Sequence, residues 1–139
     1  MSEIKLLALD LDGTLFTKDK QVTAENRAAL KAAEAKGVHV VITTGRPLPA
    51  ITHILEDLDL LDDKHYSVTF NGGLVQRNNG DILIKKEMSR EDLKQIYAVF
   101  QPLGLPMDVI SDGIVYGVPS KGNHSLYRQA NPALTFVDV

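Results

Sequence analysis

The sequence has 139 residues, of which 44% are apolar and 24% charged, and it contains no cysteine. This is the composition of one globular domain, or of one domain and part of a second, and it excludes disordered, collagen-like and disulfide-stabilised classes. With a net charge of −3, no long basic run and no apolar segment near the ~18 residues of a membrane span, the sequence argues against nucleic-acid and membrane partners. We expect a cytoplasmic protein, because the absence of cysteine suits a reducing compartment.

The first half of the chain predicts alternating strands and helices. Residues 4–9, 38–43 and 66–70 are short apolar runs without polar alternation, which is typical of strands buried on both faces of a parallel sheet. An Ala-rich segment over 23–36 and an apolar stripe after Pro47 predict helices between these strands. This order indicates an α/β fold with a parallel, Rossmann-like sheet.

The second half of the chain has a different pattern. We predict, in chain order, a hairpin over 73–85 turning at Asn78-Asn79-Gly80, a helix from Ser89 to about Gly104, a second hairpin over 107–118 turning at Asp112-Gly113, a helix over 123–130 and a strand over 134–139. We therefore place a boundary near residue 86. Residues 1–86 form the N-terminal part of an α/β core, and residues 87–139 begin a smaller α+β unit.

Two carboxylates follow the first strand, at Asp10 and Asp12. Side chains two residues apart on an extended segment point the same way, so both acids face one spot at the carboxyl end of the sheet. Their mutual repulsion favours a divalent cation, and hard oxygen ligands without cysteine point to Mg²⁺. Gly13 lets the chain turn away and frees backbone N–H groups for an anion. The same residues could equally end a strand and start a turn.

Polar, glycine-containing turns also follow the second and third strands. Thr44-Gly45-Arg46-Pro47 combines a hydroxyl, a glycine and a helix start, which is a pattern typical of an anion site. Asn71-Gly72-Gly73 follows the third strand. Each turn by itself could be a helix cap or a connection, but all three are expected at one edge of the sheet. The four histidines have no metal-ligand spacing and are expected to be structural.

Asp10-Leu11-Asp12-Gly13-Thr14, Thr44-Gly45-Arg46-Pro47 and Phe70-Asn71-Gly72-Gly73 together resemble the motifs of the haloacid dehalogenase superfamily, and within it the Cof-type phosphatases. Lys20-Gln21-Val22-Thr23 and the helix after it also fit this pattern. The resemblance is strong to about residue 88 and looser beyond. It implies that residues 87–139 begin an α/β cap domain.

The resemblance implies Mg²⁺-dependent hydrolysis of a small phosphorylated metabolite. Asp10 would be the nucleophile, Asp12 the general acid and base, and Mg²⁺ would bind a carboxylate oxygen of Asp10 and the main-chain carbonyl of Asp12. The phosphate and substrate would be held by residues of the three turns: Leu11, Gly13, Thr44, Gly45, Arg46, Asn71 and Gly72.

Two alternatives stay open from the sequence: a phosphotransferase or phosphomutase of the same superfamily, and a non-catalytic fragment. In the family, a lysine and further acids follow the cap, whereas this sequence ends at Val139, and Lys121 does not resemble that lysine. We therefore expect this chain alone to be inactive, with an unpaired apolar edge on its first strand. The oligomeric state is not specified by the sequence.

Overall fold

A five-stranded sheet dominates the N-terminal half of the structure, a computed structural model that describes residues 3–111 and 113–139. Its strands, in spatial and chain order, are β1 (Leu6–Asp10), β2 (His39–Thr43), β3 (Tyr66–Thr69), β4 (Leu74–Arg77) and β5 (Ile82–Lys85). β1, β2 and β3 are parallel, whereas β4 and β5 continue the sheet as an antiparallel hairpin. The predicted parallel α/β arrangement is therefore confirmed for the first three strands.

Two helices connect the parallel strands. α1 (Ala24–Ala35) begins after Thr23, whose hydroxyl accepts a hydrogen bond from the backbone N–H of Asn26 at 3.1 Å. A 3₁₀ turn (Leu48–Ala50) leads into α2 (Thr52–Asp57), so the helix predicted after Pro47 forms in two pieces. The carboxyl ends of the three parallel strands consequently meet at one edge of the sheet.

The hydrophobic core lies between these helices and the sheet. The buried residues that form it are Leu11, Leu15, Phe16, Val22, Leu30, Val40, Ile42, Ile51, Ile54, Leu55, Leu58 and Leu60. The apolar stripe predicted after Pro47 is confirmed, since its members Ile51, Ile54, Leu55 and Leu58 all belong to this core. The prediction that β1 is buried on both faces is wrong: β1 pairs only with β2 in the described chain, and Leu6 is 56% exposed. Leu7 and Leu9 on one face of β1 are partly buried, whereas the opposite face is exposed to solvent.

A buried polar network fixes the hairpin against the rest of the sheet. Ser67 on β3 donates from its hydroxyl to Asn78 Oδ1 at 2.7 Å, and Asn78 Nδ2 donates to the carbonyl oxygen of Leu60 at 2.7 Å. Both side chains are buried, so each hydrogen bond replaces water that the site excludes. The turn at Asn78-Asn79-Gly80 is confirmed, and Asn78 also ties it to the segment before β3.

The chain divides into two compact units between Lys86 and Glu87. The second unit contains α3 (Arg90–Leu103), β6 (Met107–Ser111), β7 (Ile114–Val118), α4 (Tyr127–Ala130) and β8 (Thr135–Asp138). Its strands have the order β6-β7-β8, with β7 antiparallel to β6 and parallel to β8. Asp112 of the predicted turn lies outside the described residues.

The ends of the helices in this second unit follow from local hydrogen bonding. Ser89 caps α3 by accepting from the backbone N–H of Asp92 at 3.0 Å, and Gly104 ends it with a φ of 67°. The helix predicted over 123–130 is shorter than expected, because an Asn123 bridge to Ser120 keeps its first residues in a turn. In the described ranges no helix has both the length and the apolar character needed to cross a membrane.

Candidate active site

The strand register places the ends of β1, β2 and β3 side by side. Asp10, the last residue of β1, pairs with Thr43, and Thr43 pairs with Val68 on β3. The carboxylate of Asp10 is exposed at this edge, and its Oδ2 accepts a hydrogen bond from the Thr14 hydroxyl at 3.3 Å. The other oxygen of Asp10 has no partner within residues 3–111 and 113–139. One carboxylate oxygen is thus oriented and the other is free to react or to bind a cation.

A wide turn over Leu11–Leu15 presents the first motif to solvent. The backbone N–H of Phe16 donates to the carbonyl of Leu11 at 2.9 Å and closes the turn, while Gly13 adopts a φ of 79°. Leu11 and Leu15 are buried in the core, so the turn is anchored at both ends. Any contribution of Leu11 to ligand binding must therefore come from its main chain.

Asp12 makes the strongest electrostatic contacts of the site. Its carboxylate accepts two hydrogen bonds from Arg46, with Nε 2.9 Å from Oδ2 and Nη2 2.9 Å from Oδ1. Lys20 Nζ lies 2.5 Å from Oδ1. The hydrogen bonds from Arg46 lower the pKa of Asp12 below its ordinary value of 3.8; partial burial opposes this, and Lys20 lowers the pKa further. Asp12 is therefore ionised at neutral pH in this structure.

The second turn supplies Arg46 and a hydroxyl at the sheet edge. The backbone N–H of Thr44 donates to the carbonyl of Val68 at 2.9 Å, which continues the pairing of β2 with β3 past the last strand residue. Thr44 is buried, and its Oγ1 accepts from the backbone N–H of Arg46 at 3.2 Å. The Thr44 hydroxyl can still donate its hydrogen, which suits a phosphoryl oxygen as acceptor.

The third turn packs directly against the second. The backbone N–H of Asn71 donates to the carbonyl of Thr44 at 3.3 Å. A Cβ on Gly45 would lie only 2.8 Å from Asn71 Oδ1, so the Asn71 side chain occupies the space that the glycine leaves. Phe70 and Asn71 both have positive φ angles, 53° and 54°, which costs energy for Phe70 in particular. Backbone strain of this kind is concentrated at functional sites.

The structure therefore gathers most of the predicted site residues at one edge. Hydrogen bonds and close contacts link Asp12, Thr44, Gly45, Arg46 and Asn71. Asp10 lies at the same edge through its pairing with Thr43. Gly72 has no contact to these side chains that the structure establishes, and its φ of 93° explains its presence as a turn residue. Lys20 is not among the site residues predicted from the sequence. The family pattern includes it in Lys20-Gln21-Val22-Thr23, but no local signal shows which residue its side chain contacts.

The residues present fit a hard cation in part. Asp10 offers a free carboxylate oxygen and Asp12 a main-chain carbonyl, which are the oxygen donors that Mg²⁺ prefers. Both side-chain oxygens of Asp12 are engaged by cationic side chains. The described ranges contain no cluster of three or more acidic, histidine or cysteine side chains placed to hold a metal. Most ligands of a bound Mg²⁺ would therefore be water or other groups.

Two of the histidines have acidic partners. His65 lies between carboxylates, with Nε2 2.6 Å from Glu34 Oε1 and Nδ1 2.9 Å from Asp62 Oδ1, and it joins α1 to the segment before β3. In the second unit, His124 Nδ1 lies 3.5 Å from an oxygen of Asp138. Lys121 packs over Gly104 at the end of α3. These contacts give His65 and Lys121 structural explanations.

Comparison with known proteins identifies the family to which this chain belongs. The family model of haloacid dehalogenase-like hydrolases matches residues 7–136, and the chain belongs to this family. A Streptococcus pyogenes protein, named provisionally as a phosphatase, is 40% identical over 114 residues, covering 81% of this chain and 42% of its own length. The Bacillus subtilis 5-amino-6-(5-phospho-D-ribitylamino)uracil phosphatase YcsE is 35% identical over 95 residues, covering 68% of this chain and 37% of its own.

Solved structures agree on the fold. A haloacid dehalogenase-like hydrolase from Bacteroides thetaiotaomicron superposes with a TM-score of 0.80 at 20% identity, over 99% of this chain and 52% of that one. The family model, which matches residues 7–136, confirms the assignment made from the three motifs. The chain spans less than half the length of the curated relatives it matches.

Proposed function

We propose that the whole protein hydrolyses a small phosphomonoester, with Asp10 as the nucleophile. The observation that carries this proposal is the placement of Asp10 at the sheet edge. One of its carboxylate oxygens has no partner in the described ranges, and Asp12, two residues further on, binds Arg46 and Lys20. Attack of that oxygen on phosphorus would form an aspartyl-phosphate and expel the alkoxide, which splits a difficult hydrolysis into two easier steps.

Asp12 would serve both steps of this reaction. Asp12 is ionised in this structure, so it would first take up a proton from solvent on Oδ2, once the bound phosphoryl group draws Arg46 away from that oxygen. It would give this proton to the departing alkoxide and then, as a carboxylate, accept the proton of the water that attacks the aspartyl-phosphate. The Thr44 hydroxyl and backbone N–H groups of Leu11 and Gly45 would bind the phosphoryl oxygens, with Arg46 adding positive charge. Mg²⁺, held by Asp10 and the main-chain carbonyl of Asp12, would neutralise charge between the nucleophile and the phosphate when bound.

The organisation of the whole protein follows from the same proposal. Residues 87–139 would belong to a cap that selects the substrate. A panel of phosphorylated sugars and of phosphorylated ribitylaminouracil, the substrate in the name of one relative, tests the specificity. Release of inorganic phosphate would support a phosphatase, whereas transfer of the phosphoryl group to a sugar acceptor would favour the phosphotransferase alternative.

Asp10→Asn tests the nucleophile directly. The amide keeps the shape of the side chain but removes the attacking carboxylate, so we expect a loss of at least about 10³-fold in phosphate release by the whole protein. A circular dichroism spectrum and melting curve like those of the wild type would show that the fold is intact. If the variant retained a tenth of the wild-type rate, Asp10 would not be the nucleophile.

A further inference from the structure

Asp12 is held by two cations that come from different parts of the fold. Arg46 belongs to the turn after β2 and binds both carboxylate oxygens as a fork. Lys20 belongs to the loop between the first motif and α1, and its Nζ binds Oδ1 alone at 2.5 Å. A planar fork and a point charge on one carboxylate have different properties, since the ammonium can adjust its position while the fork cannot.

The loop that carries Lys20 is fixed by its own backbone. The N–H of Lys20 donates to the carbonyl of Thr17 at 3.0 Å, and the N–H of Thr17 donates to the carbonyl of Gln21 at 2.9 Å. Phe16 and Val22, on either side of this turn, are buried in the core. Lys20 itself has a φ of 59°, a left-handed conformation that is unfavourable for a non-glycine residue. The turn therefore holds the start of the Lys20 side chain in one place.

Lys18 provides an internal comparison in the same loop. It carries the same charge two residues earlier and is exposed, yet within residues 3–111 and 113–139 it forms no ion pair. The conformation of the turn therefore determines that Lys20 contacts Asp12, since a positive charge elsewhere in the loop does not make this contact.

From this geometry we propose that Lys20 is a positioning residue for Asp12, a role that rests on the proposed phosphatase function. A phosphoryl group bound beside Arg46 attracts the guanidinium, because the dianion and the Asp12 carboxylate compete for the same fork. Lys20 then remains as the partner of Asp12 Oδ1 and holds the carboxyl group in place. Oδ2, the oxygen that only Arg46 binds, is thereby released and directed at the leaving-group oxygen. Lys20 does not touch the phosphoryl group, so its loss slows proton transfer more than it weakens substrate binding.

Steady-state kinetics of the whole protein with Lys20→Met, Lys20→Arg and Lys18→Met test this role. With an alkyl ester such as β-glycerophosphate, we expect Lys20→Met to lower kcat about tenfold with KM changed less than about twofold. With p-nitrophenyl phosphate, whose leaving group needs little protonation, the loss should be smaller. Lys20→Arg should restore part of the rate, and Lys18→Met should match the wild type.

Two results would overturn the proposal: Lys20→Met behaving like Lys18→Met, or Lys20→Met raising KM with kcat unchanged, which would make Lys20 a substrate-binding residue. A measurement independent of turnover is the ¹H–¹⁵N signal of the Lys20 ammonium in the 139-residue chain at low temperature. A persistent signal that disappears in Asp12→Asn supports the contact, and a signal unchanged by Asp12→Asn refutes it. An active Asp10→Asn variant would refute the proposed function while leaving the ammonium result intact.

Discussion

The contact between Gly45 and Asn71 gives a quantitative expectation for Gly45→Ala. The new Cβ would lie 2.8 Å from Asn71 Oδ1, about 0.6–1.2 Å closer than the ~3.4–4 Å of ordinary contact, and 3.3 Å from Nδ2. The backbone of Gly45 does not have a positive φ, so alanine fits locally and reduces the entropy of the unfolded chain by about 0.4–1 kcal/mol. The exposed Asn71 side chain must move instead.

We therefore expect Gly45→Ala to separate stability from activity. The free energy of unfolding should change by less than about 1 kcal/mol, because two effects oppose each other. Alanine lowers the entropy of the unfolded chain, which stabilises the fold, whereas the clash with Asn71 destabilises it only until this surface side chain moves aside. Displacement of a site residue by about 1 Å costs up to ~10²-fold in rate, so a shift of this size should lower kcat/KM about tenfold. Urea unfolding of the chain and p-nitrophenyl phosphate hydrolysis by the whole protein measure the two effects.

The double variant with Asn71→Gly tests whether the clash is the cause. Glycine accepts the φ of 54° found at this position and removes the amide that the new Cβ would meet. In this background the additional Gly45→Ala change should have almost no further effect on kcat/KM, because the two substitutions act through one contact. Equal losses in both backgrounds would refute the reasoning, as would a destabilisation of more than about 3 kcal/mol in Gly45→Ala.

Two further predictions concern buried hydrogen bonds and charge. Asn78→Leu leaves the buried Ser67 hydroxyl without its acceptor, which costs about 1–3 kcal/mol, and removes one of the two hydrogen bonds that the Leu60 carbonyl accepts. Urea unfolding should therefore show a loss of about 2–4 kcal/mol, against less than about 1 kcal/mol for exposed Asn79→Ala. Arg46→Gln should raise the pKa of Asp12, measured by ¹³C NMR, because the depressed pKa depends first on Arg46. The pKa of Asp12 is lower in the folded than in the unfolded state, so this ion pair stabilises the fold above about pH 4, and the stabilisation is lost as pH falls through the depressed pKa. An unchanged pKa of Asp12 in Arg46→Gln would contradict the role given to Arg46.

The sequence by itself determined the order of the elements and the edge at which the site forms. Local rules suffice for these features: the cap at Thr23, the Asn-Gly turn of the hairpin and the apolar stripe of α2 depend on neighbours close in the chain. Asp10 and Asp12 could be placed beside the Thr44 and Asn71 turns because parallel strands end at one edge of a sheet. This inference needed only the strand order.

The tertiary structure decided which partners these residues have. Lys20 contacts Asp12 while Lys18 does not, because a left-handed residue in a closed turn aims one side chain and not the other. Arg46 lies 34 positions along the chain from Asp12, and Asn78 lies 18 positions from Leu60, so neither hydrogen bond has a local signal in the sequence. The exposure of β1 likewise depends on what packs over each of its two faces, which its own apolar run does not encode. Periodicity records which face of an element is apolar, whereas contacts between distant segments are fixed only when the whole chain has packed.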